Sequence, residues 1–484
     1  MIGWLALFAL IPLAHAERPL TYDEALRAAV EHNPSLATAR LARLQAQGSL
    51  LGSRGQFDPT YVLDGRWEQR RSQGFFQGFP FTSRSESWNV GNELSGTAAT
   101  GTTYSLNADL DRNYSEFVTQ FGIGGEQEQI QDAYTSNLGV SVTQQLLEGI
   151  LYRYNLQNVT RAQQSLTTAE LQERKALQDA LYTAAEAYWS WVYADELRRI
   201  ADESVEVAAE ALRVGKLQVE SGQLAPVEGT RLEAALVQAQ QQAIDAANTA
   251  EQAANTLLVA IGEGPDQPIR PATPPGDVPP VELDEAAVIE VALAQNVDLA
   301  VARATLETAR IDERMAKHAM LPTLSATGAA GVAAQDTTGS AAISGLLDSD
   351  NQPYVSIGGR FEVPLGNRSA RGERDRTMSL VNQRERELEN LERTVTAQVE
   401  EQVRALQSAR RSMELADINV RLAEQTLAAE EALAEAGRNI QKDVLEARTE
   451  LDRSRAEAAK ARTDYRLAQA QLLRLQGQLD QQVP

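Results

Sequence analysis

The chain has 484 residues and a formal net charge of -22, with three histidines and no cysteine. The missing cysteines exclude disulfides, thiolate metal sites, thiol nucleophiles and a lipidated N-terminal cysteine, and the acidic balance excludes a partner whose phosphates it would repel, such as nucleic acid. Aromatics are only 5 %, whereas Ala, Gln, Glu, Arg and Leu dominate the second half of each of the two repeats described below, a composition of long helices.

Residues 1–16 are apolar and end in Ala14-His15-Ala16. This small-x-small ending predicts a signal peptide, too short to span a bilayer. No later stretch has the ~20 continuous apolar residues of a membrane helix. The exported chain is therefore expected to be either soluble or a β-barrel protein.

A first helix opens at the capping box Thr21-x-x-Glu24 and ends before Pro59. A strand region follows, at about 57–146. There Tyr104, Leu106, Ala108 and Leu110 alternate with Ser105, Asn107, Asp109 and Asp111, and Leu138, Val140 and Val142 alternate with Gly139, Ser141 and Thr143. One apolar and one polar face suit a barrel with lipid outside and water inside, and also a half-buried soluble sheet. A proline-free run from about 151 predicts a rod that turns back at Gly222 and returns to 262. At 1.5 Å per residue, ~70 residues rise roughly 100 Å. Tyr188, Trp189, Trp191 and Tyr193 lie mid-rod and are expected to pack between helices. Residues 263–281 hold Pro265, Pro268, Pro271, Pro274, Pro275, Pro279 and Pro280 and predict an extended strap.

The pattern then begins again. Asn296-Val-Asp-Leu299-Ala-Val-Ala-Arg303 repeats Asn33-Pro-Ser-Leu36-Ala-Thr-Ala-Arg40, and Asp284 stands where the helix cap is needed. Pro322-Thr323 answers Pro59-Thr60, and Gly437 and Gly477 answer Gly222 and Gly262. Two copies of one unit are therefore expected, at 17–262 and 282–484. The second has strands at about 322–366, where Val355, Ile357, Gly359 and Phe361 share a face, and rods at about 371–480 with a tip near 437. Leu388, Leu391, Val395, Val399, Val403 and Leu406 mark a coiled-coil seam. His32 and His318 are expected at the surface.

Two membrane strands per copy would make four per chain. A sheet in lipid must close, and single-chain barrels need about eight strands or more, so partner chains are required; three copies would supply twelve. The first strand region is about twice as long as the second. Its excess, carrying Trp67, Phe75, Phe76, Phe79, Phe81 and Trp88, is read as an extracellular hairpin, with additional barrel strands as the alternative.

The openings DEALRAAVEHNPSLATAR and DEAAVIEVALAQNVDLAVAR, the segment FEVPLGNRSARG at 361–372 and EAGRNIQKDVLEARTEL at 435–451 resemble the TolC family of outer-membrane efflux proteins over nearly the whole chain. That resemblance implies a mostly α fold with a membrane β-barrel portion: a homotrimer with a twelve-stranded barrel continued by a long helical barrel in the periplasm. It implies a passive exit duct serving an inner-membrane efflux pump or secretion ATPase through a periplasmic adaptor, with no cofactor and no enzymatic activity. Consistently, no Gly-rich phosphate loop followed by Lys-Ser or Lys-Thr occurs. The resemblance also implies an acidic constriction beyond the second tip, where this sequence has Asp443 and Glu446, which share a helix face at i, i+3. Glu228 is the equivalent at the first tip. Arg438, one place before the family's usual arginine site, is expected to contact Glu228; the family's tip aromatic is replaced by Ala434. Gly222 and Gly437 are the expected adaptor-facing tips. A soluble periplasmic coiled-coil scaffold or adaptor is the alternative reading.

Overall fold

The computed structural model describes residues 17–120, 125–265, 267–273, 284–349, 351–436 and 441–482. The expected signal peptide, residues 266 and 274–281 of the Pro-rich strap, Gly437 and Arg438 lie outside the described residues. In chain order the elements are β1 (Arg18–Leu20), α1 (Tyr22–His32), α2 (Pro34–Arg54), β2 (Thr60–Phe76), β3 (Phe79–Thr97), β4 (Thr102–Gln120), β5 (Glu126–Gln145), α3 (Tyr152–Asn155), α4 (Gln157–Glu220) and α5 (Pro226–Ala260). Then come β6 (Ile269–Pro271), α6 (Glu285–Gln295), α7 (Val297–His318), β7 (Thr323–Asp336), α8 (Gly339–Gly345), β8 (Gln352–Glu362), α9 (Arg368–Glu435) and α10 (Gln441–Leu475). The tandem repeat is visible element by element: two helices, strands, a long helix and a returning helix, twice. Two compact units form, residues 1–44 with 168–303 and 386–484, and residues 45–167 with 304–385.

The first unit is helical. The Thr21 hydroxyl accepts from the Glu24 amide at 3.2 Å while the Glu24 carboxylate accepts from the Thr21 amide at 2.9 Å, so the expected capping box is present. Asp284 caps α6 by accepting from the Ala286 amide at 3.1 Å. The expected single opening helix is instead broken at Asn33, and its counterpart at Asn296. Both residues are extended, and the break has the same cause twice. Asn33 Oδ1 accepts from the amides of Ser35 and Leu36, and Asn296 Oδ1 accepts from Leu299; each side chain thus caps a new helix. Each Nδ2 then donates to the C-terminal end of the returning helix, Asn33 to the Ala260 carbonyl at 3.0 Å and Asn296 to the Leu475 carbonyl at 2.9 Å. Gly262 and Gly477 end those helices with φ of +78° and +68°, and a Cβ at either would overlap the carbonyl of His32 or Gln295. Glycine is needed there both for the left-handed turn and for the close approach.

One core gathers α1, α4, α5 and part of α10 around Leu26, Leu181, Tyr188, Trp189, Trp191, Leu257 and Leu258. The mid-rod aromatics are packed as expected: Tyr188 meets Tyr22, Trp189 and Trp191 at ring separations of 5.5, 5.3 and 5.8 Å. The Tyr188 hydroxyl donates to the Leu20 carbonyl and accepts from the Thr273 amide, which ties down the parallel pair β1–β6. A second core carries the expected seam: Val395, Val399, Val403 and Leu406 are buried against Val288, Ala292, Leu299, Tyr465 and Leu472, with Leu388 and Leu391 packed on it.

The strands of the second unit form a single antiparallel sheet in the order β2-β3-β4-β5-β7-β8. It has six strands, not the four expected. The excess length of the first region is added strand. Gln77 and Gly78, both at positive φ (51° and 87°), make the two-residue turn whose twist matches a hairpin. From that turn β2 and β3 pair without interruption from Phe76↔Phe79 down to Thr60↔Ser95. His318 also departs from expectation: its ring lies 4.6 Å from that of Tyr154, and it is half-buried.

Asn296 is 4 % exposed and satisfies two backbone groups at once. Asn296→Ala is expected to cost about 1–3 kcal/mol by orphaning them, read as a lowered thermal midpoint of the detergent-solubilised protein. An unchanged midpoint would mean that the junction is held by something else.

Candidate functional site: the two-faced sheet and the helix-pair ends

Residues paired directly across an antiparallel sheet lie on one face. Following the pairs across all strands therefore tests whether the alternation is continuous. One row reads Tyr61–Leu94–Leu106–Val140–Ala330–Val355, apolar on every strand. A neighbouring row on the opposite face reads Thr60–Ser95–Ser105–Ser141–Ala329–Ser356, small and largely hydroxylic. Ser105 and Ser141 share a hydrogen bond of 2.9 Å within it. The first face continues with Leu63, Val90, Ala108, Leu110, Leu138 and Val332; the second with Asp64, Arg66, Glu93, Asn107, Asp109 and Asn137. At one end α8 packs over this face, where Ser136 donates to the Ala342 carbonyl and Gly339 lies against Tyr134 and Leu110; away from it the apolar residues find no cover, and Tyr61, Leu106, Val140 and Val355 are exposed. A soluble sheet would bury such a face, so its exposure points to lipid.

The apolar band ends at a row of Trp67, Trp88, Arg112 and Tyr134. Trp88 meets Tyr134 edge-on at 5.8 Å, and the Arg112 guanidinium lies 5.5 Å from the Tyr134 ring centre. Amphipathic rings at the margin of an apolar band are the mark of a membrane interface. Beyond it the outward row is Gln69–Glu86–Tyr114–Asp132, and Arg112 grips Asp132 through two hydrogen bonds of 2.8 and 2.9 Å. Between Tyr134 and Val142 the band takes about nine residues of β5, enough for a tilted strand to cross a bilayer. The four long strands thus cross the band and run on past it. On the polar face Tyr354 lies over Gly139 and Gly331, where any Cβ would overlap its hydroxyl; the aromatic ring covers the gaps that the glycines leave.

In the helical unit, α4 turns into α5 through Gly222, at φ +70°, with the amides of Gln223 and Leu224 closing on the Gln218 carbonyl at 2.8 and 3.1 Å. Pro226 opens α5, where its missing N–H costs nothing. Glu228 stands in the first turn of α5 and pairs with Arg231 at 2.6 Å. Asp443 stands in the first turn of α10, half-buried, and Glu446 is exposed and pairs with Lys442 at 3.2 Å. The expected Arg438–Glu228 contact lies outside the described residues.

A charge cluster that the sequence reading missed joins the helices instead. Arg448 on α10 bonds Glu203 on α4 at 3.0 Å, and Arg455 reaches both Glu203 at 3.5 Å and Glu424 on α9 at 3.3 Å. Asp452 is buried (8 % exposed), with Arg448 Nε 3.2 Å from its Oδ1 as an ion pair. Burial pushes the Asp452 carboxyl up, and Arg448 and Arg455 pull it back only in part. Glu203 and Arg448 are 245 positions apart, so no sequence spacing could have paired them.

Among the described residues no helix is long and apolar enough to cross a membrane, and no cluster of His, Asp and Glu could hold a metal ion. A comparison with protein families matches the outer membrane efflux proteins at residues 102–263 and 288–478, well over half of the chain. The chain belongs to the outer membrane efflux protein family. No curated protein matches it significantly in sequence. Among solved structures it is similar to the outer membrane protein VceC of Vibrio cholerae, with a TM-score of 0.65 and 16 % identity over 94 % of this chain and 96 % of that one. The outer membrane channel CmeC of Campylobacter jejuni gives 0.66 and 14 % over 95 % and 86 %. The open-state outer membrane channel MtrE of Neisseria gonorrhoeae gives 0.67 and 16 % over 96 % and 90 %. This efflux-family chain is thus an outer membrane protein of tandem-repeat fold, and the soluble-scaffold alternative falls.

Two outcomes test these surfaces. Leu138→Arg, at the middle of the lipid-facing band, is expected to cost about 2–4 kcal/mol and to deplete the chain from the outer membrane, whereas Asn137→Arg, one residue along on the polar face, should leave its level unchanged. Equal loss in both would contradict the facing. For Asp452, the raised carboxyl means that the folded state binds its proton more tightly than the unfolded chain does. Stability is therefore gained as pH falls toward the ordinary carboxylate range and lost as it rises. Between about pH 7 and about pH 5, the thermal midpoint of the wild type should rise relative to that of Asp452→Asn; a relative fall would mean that the ion pairs outweigh the burial.

Proposed function

We propose that three copies of this chain form a passive, water-filled exit duct. It takes substrates from an inner-membrane efflux pump or secretion ATPase, through a periplasmic adaptor, to the exterior. The observation that carries this reading is the sheet: apolar outward, polar inward and open at both edges in each chain. Open edges are untenable in lipid, so copies must complete the wall. Energy comes from the partner. The chain's own task is to line a path and to hold the periplasmic end narrow until the adaptor engages.

In this reading Gly222 and Gly437 bring the two helix-pair tips within reach of the adaptor. Asp443 and Glu446 would form the narrow ring, six carboxylates from three chains, with Glu228 beside them and Arg438 among the closing links. The placement of Asp443 and Glu446 in the first two turns of α10 supports this. Glu446 pairs with Lys442 on its own helix at 3.2 Å. A ring of carboxylates attracts cations and can be plugged by those of higher valence.

Single-channel recording in planar bilayers tests this. Divalent or polyvalent cations added from the side of the helix tips should block the wild type. The pair Asp443→Asn with Glu446→Gln should raise the half-blocking concentration by about ten-fold or more, a loss of ~1.4 kcal/mol of binding. Unchanged block would remove these residues from the constriction.

A further inference from the structure

The family correspondence opens at Thr102, the first residue of β4. It takes in the strand pairs β4–β5 and β7–β8, one from each repeat, and leaves the β2–β3 hairpin outside. We propose that this hairpin is part of the barrel wall, so that each chain contributes six staves and three chains close an eighteen-stranded barrel, with β8 of one copy paired to β2 of the next. The proposal rests on the trimeric-duct reading above.

The two faces of the hairpin carry the argument. On β2, Tyr61, Leu63 and Trp67 lie on the apolar face, with Asp64, Arg66 and Glu68 on the other; on β3, Leu94, Val90 and Trp88 oppose Glu93, Asn89 and Ser87. These faces are continuous with those of β4 through Leu94↔Leu106 and Val90↔Leu110 on one side and Asn89↔Asp111 on the other. The Asn89 amide donates to Asp111 at 2.7 Å, a bond across the polar face. A flap laid on the outside of a twelve-stranded wall would turn Asp64, Arg66 and Glu93 toward lipid. A flap folded into the lumen would turn Tyr61, Leu63 and Trp67 toward water. Only a stave keeps both faces in their own solvent. The aromatic margin agrees, because Trp67 and Trp88 fall in the same row as Tyr134.

Closure also follows from the count. With six strands in antiparallel order, the outer strands β2 and β8 run in opposite directions. A head-to-tail ring of copies therefore joins them as an antiparallel pair, the geometry of every other junction in the sheet. Among the described residues both β2 and β8 lack a strand neighbour on their outer side, and both show the lipid-facing alternation, β8 through Val355, Ile357 and Phe361. The occupant that fits each free edge is a second copy of this chain. Barrel diameter grows about linearly with strand number, so eighteen strands make a lumen roughly half as wide again as twelve, in the range that leaves an open aqueous channel. The duct would then admit bulkier cargo at its membrane end than a twelve-stranded relative.

The test is cryo-electron microscopy of the full-length protein in nanodiscs, paired with disulfide mapping on a background that has no native cysteine. Leu63→Cys on β2 is combined in turn with Val355→Cys, Ile357→Cys, Gly359→Cys and Phe361→Cys on β8, a series that covers the unknown stagger between copies. A three-fold particle with eighteen staves, and one of the four pairs cross-linking neighbouring copies under oxidation, is the expected result. A three-fold particle with twelve staves, in which Leu106→Cys on β4 cross-links to β8 instead, would overturn the eighteen-stranded wall and leave the duct intact. A particle with no membrane ring would overturn both.

Discussion

Every peptide group that enters hydrocarbon must find its partner within protein, because no water is there to supply one. The sheet of this chain satisfies that rule along its whole breadth and breaks it at two places, the outer sides of β2 and β8. Oligomerisation is the remedy that the geometry demands. The alternation of faces says what surrounds the closed wall: lipid on the side of Leu106 and Val140, water on the side of Ser105 and Ser141. Six strands is too few to close alone, so the functional unit and the folding unit of the membrane part are different objects.

The helical unit obeys a different economy. Its seam of Val395, Val399, Val403 and Leu406 is narrow, and its helices are long, so burial per residue is modest and the ends need fixing. Two devices do this, and the duplication has made each of them twice. Asn33 and Asn296 each stop one helix, start the next and hold the terminus of a returning helix, while Gly262 and Gly477 let that terminus approach. Charge supplies the third link. Glu203, Arg448, Asp452 and Arg455 bind helices of the two repeats together, and the burial of Asp452 makes that link sensitive to pH. An ion-pair cluster of this kind adds little net stability. It can nonetheless set which arrangement of the helices is preferred.

Much of this was legible from residue order. The capping box, the Asp284 cap, the coiled-coil seam, the buried aromatics around Tyr188 and the alternation in β4, β5 and β8 all follow from local patterns with a physical cause. What escaped was of two kinds. Contacts between distant positions, such as Glu203 with Arg448 or His318 against Tyr154, leave no spacing to read. The β2–β3 hairpin had spacing, but Val62 on its polar face and Gly65 and Asn92 on its apolar face blur the period, and the cluster of Phe residues at its turn favoured an extracellular hairpin over the alternative of additional barrel strands. The tight turn at Gln77-Gly78 was the available signal. The Asn33 break was masked in the same way, since Pro34 can begin a helix as readily as interrupt one.

The central claim is that one face of the sheet meets lipid and the other a water-filled lumen. Substituted-cysteine labelling tests it most directly, since the chain has no cysteine of its own. Single Cys variants at Leu106, Val140 and Val355, and at Ser105, Ser141 and Ser356, would be exposed in intact outer membranes to a charged, membrane-impermeant maleimide. The account predicts rapid labelling at the three serine positions and protection at the three apolar ones. Equal labelling of both sets, or protection of the serine set alone, would contradict it.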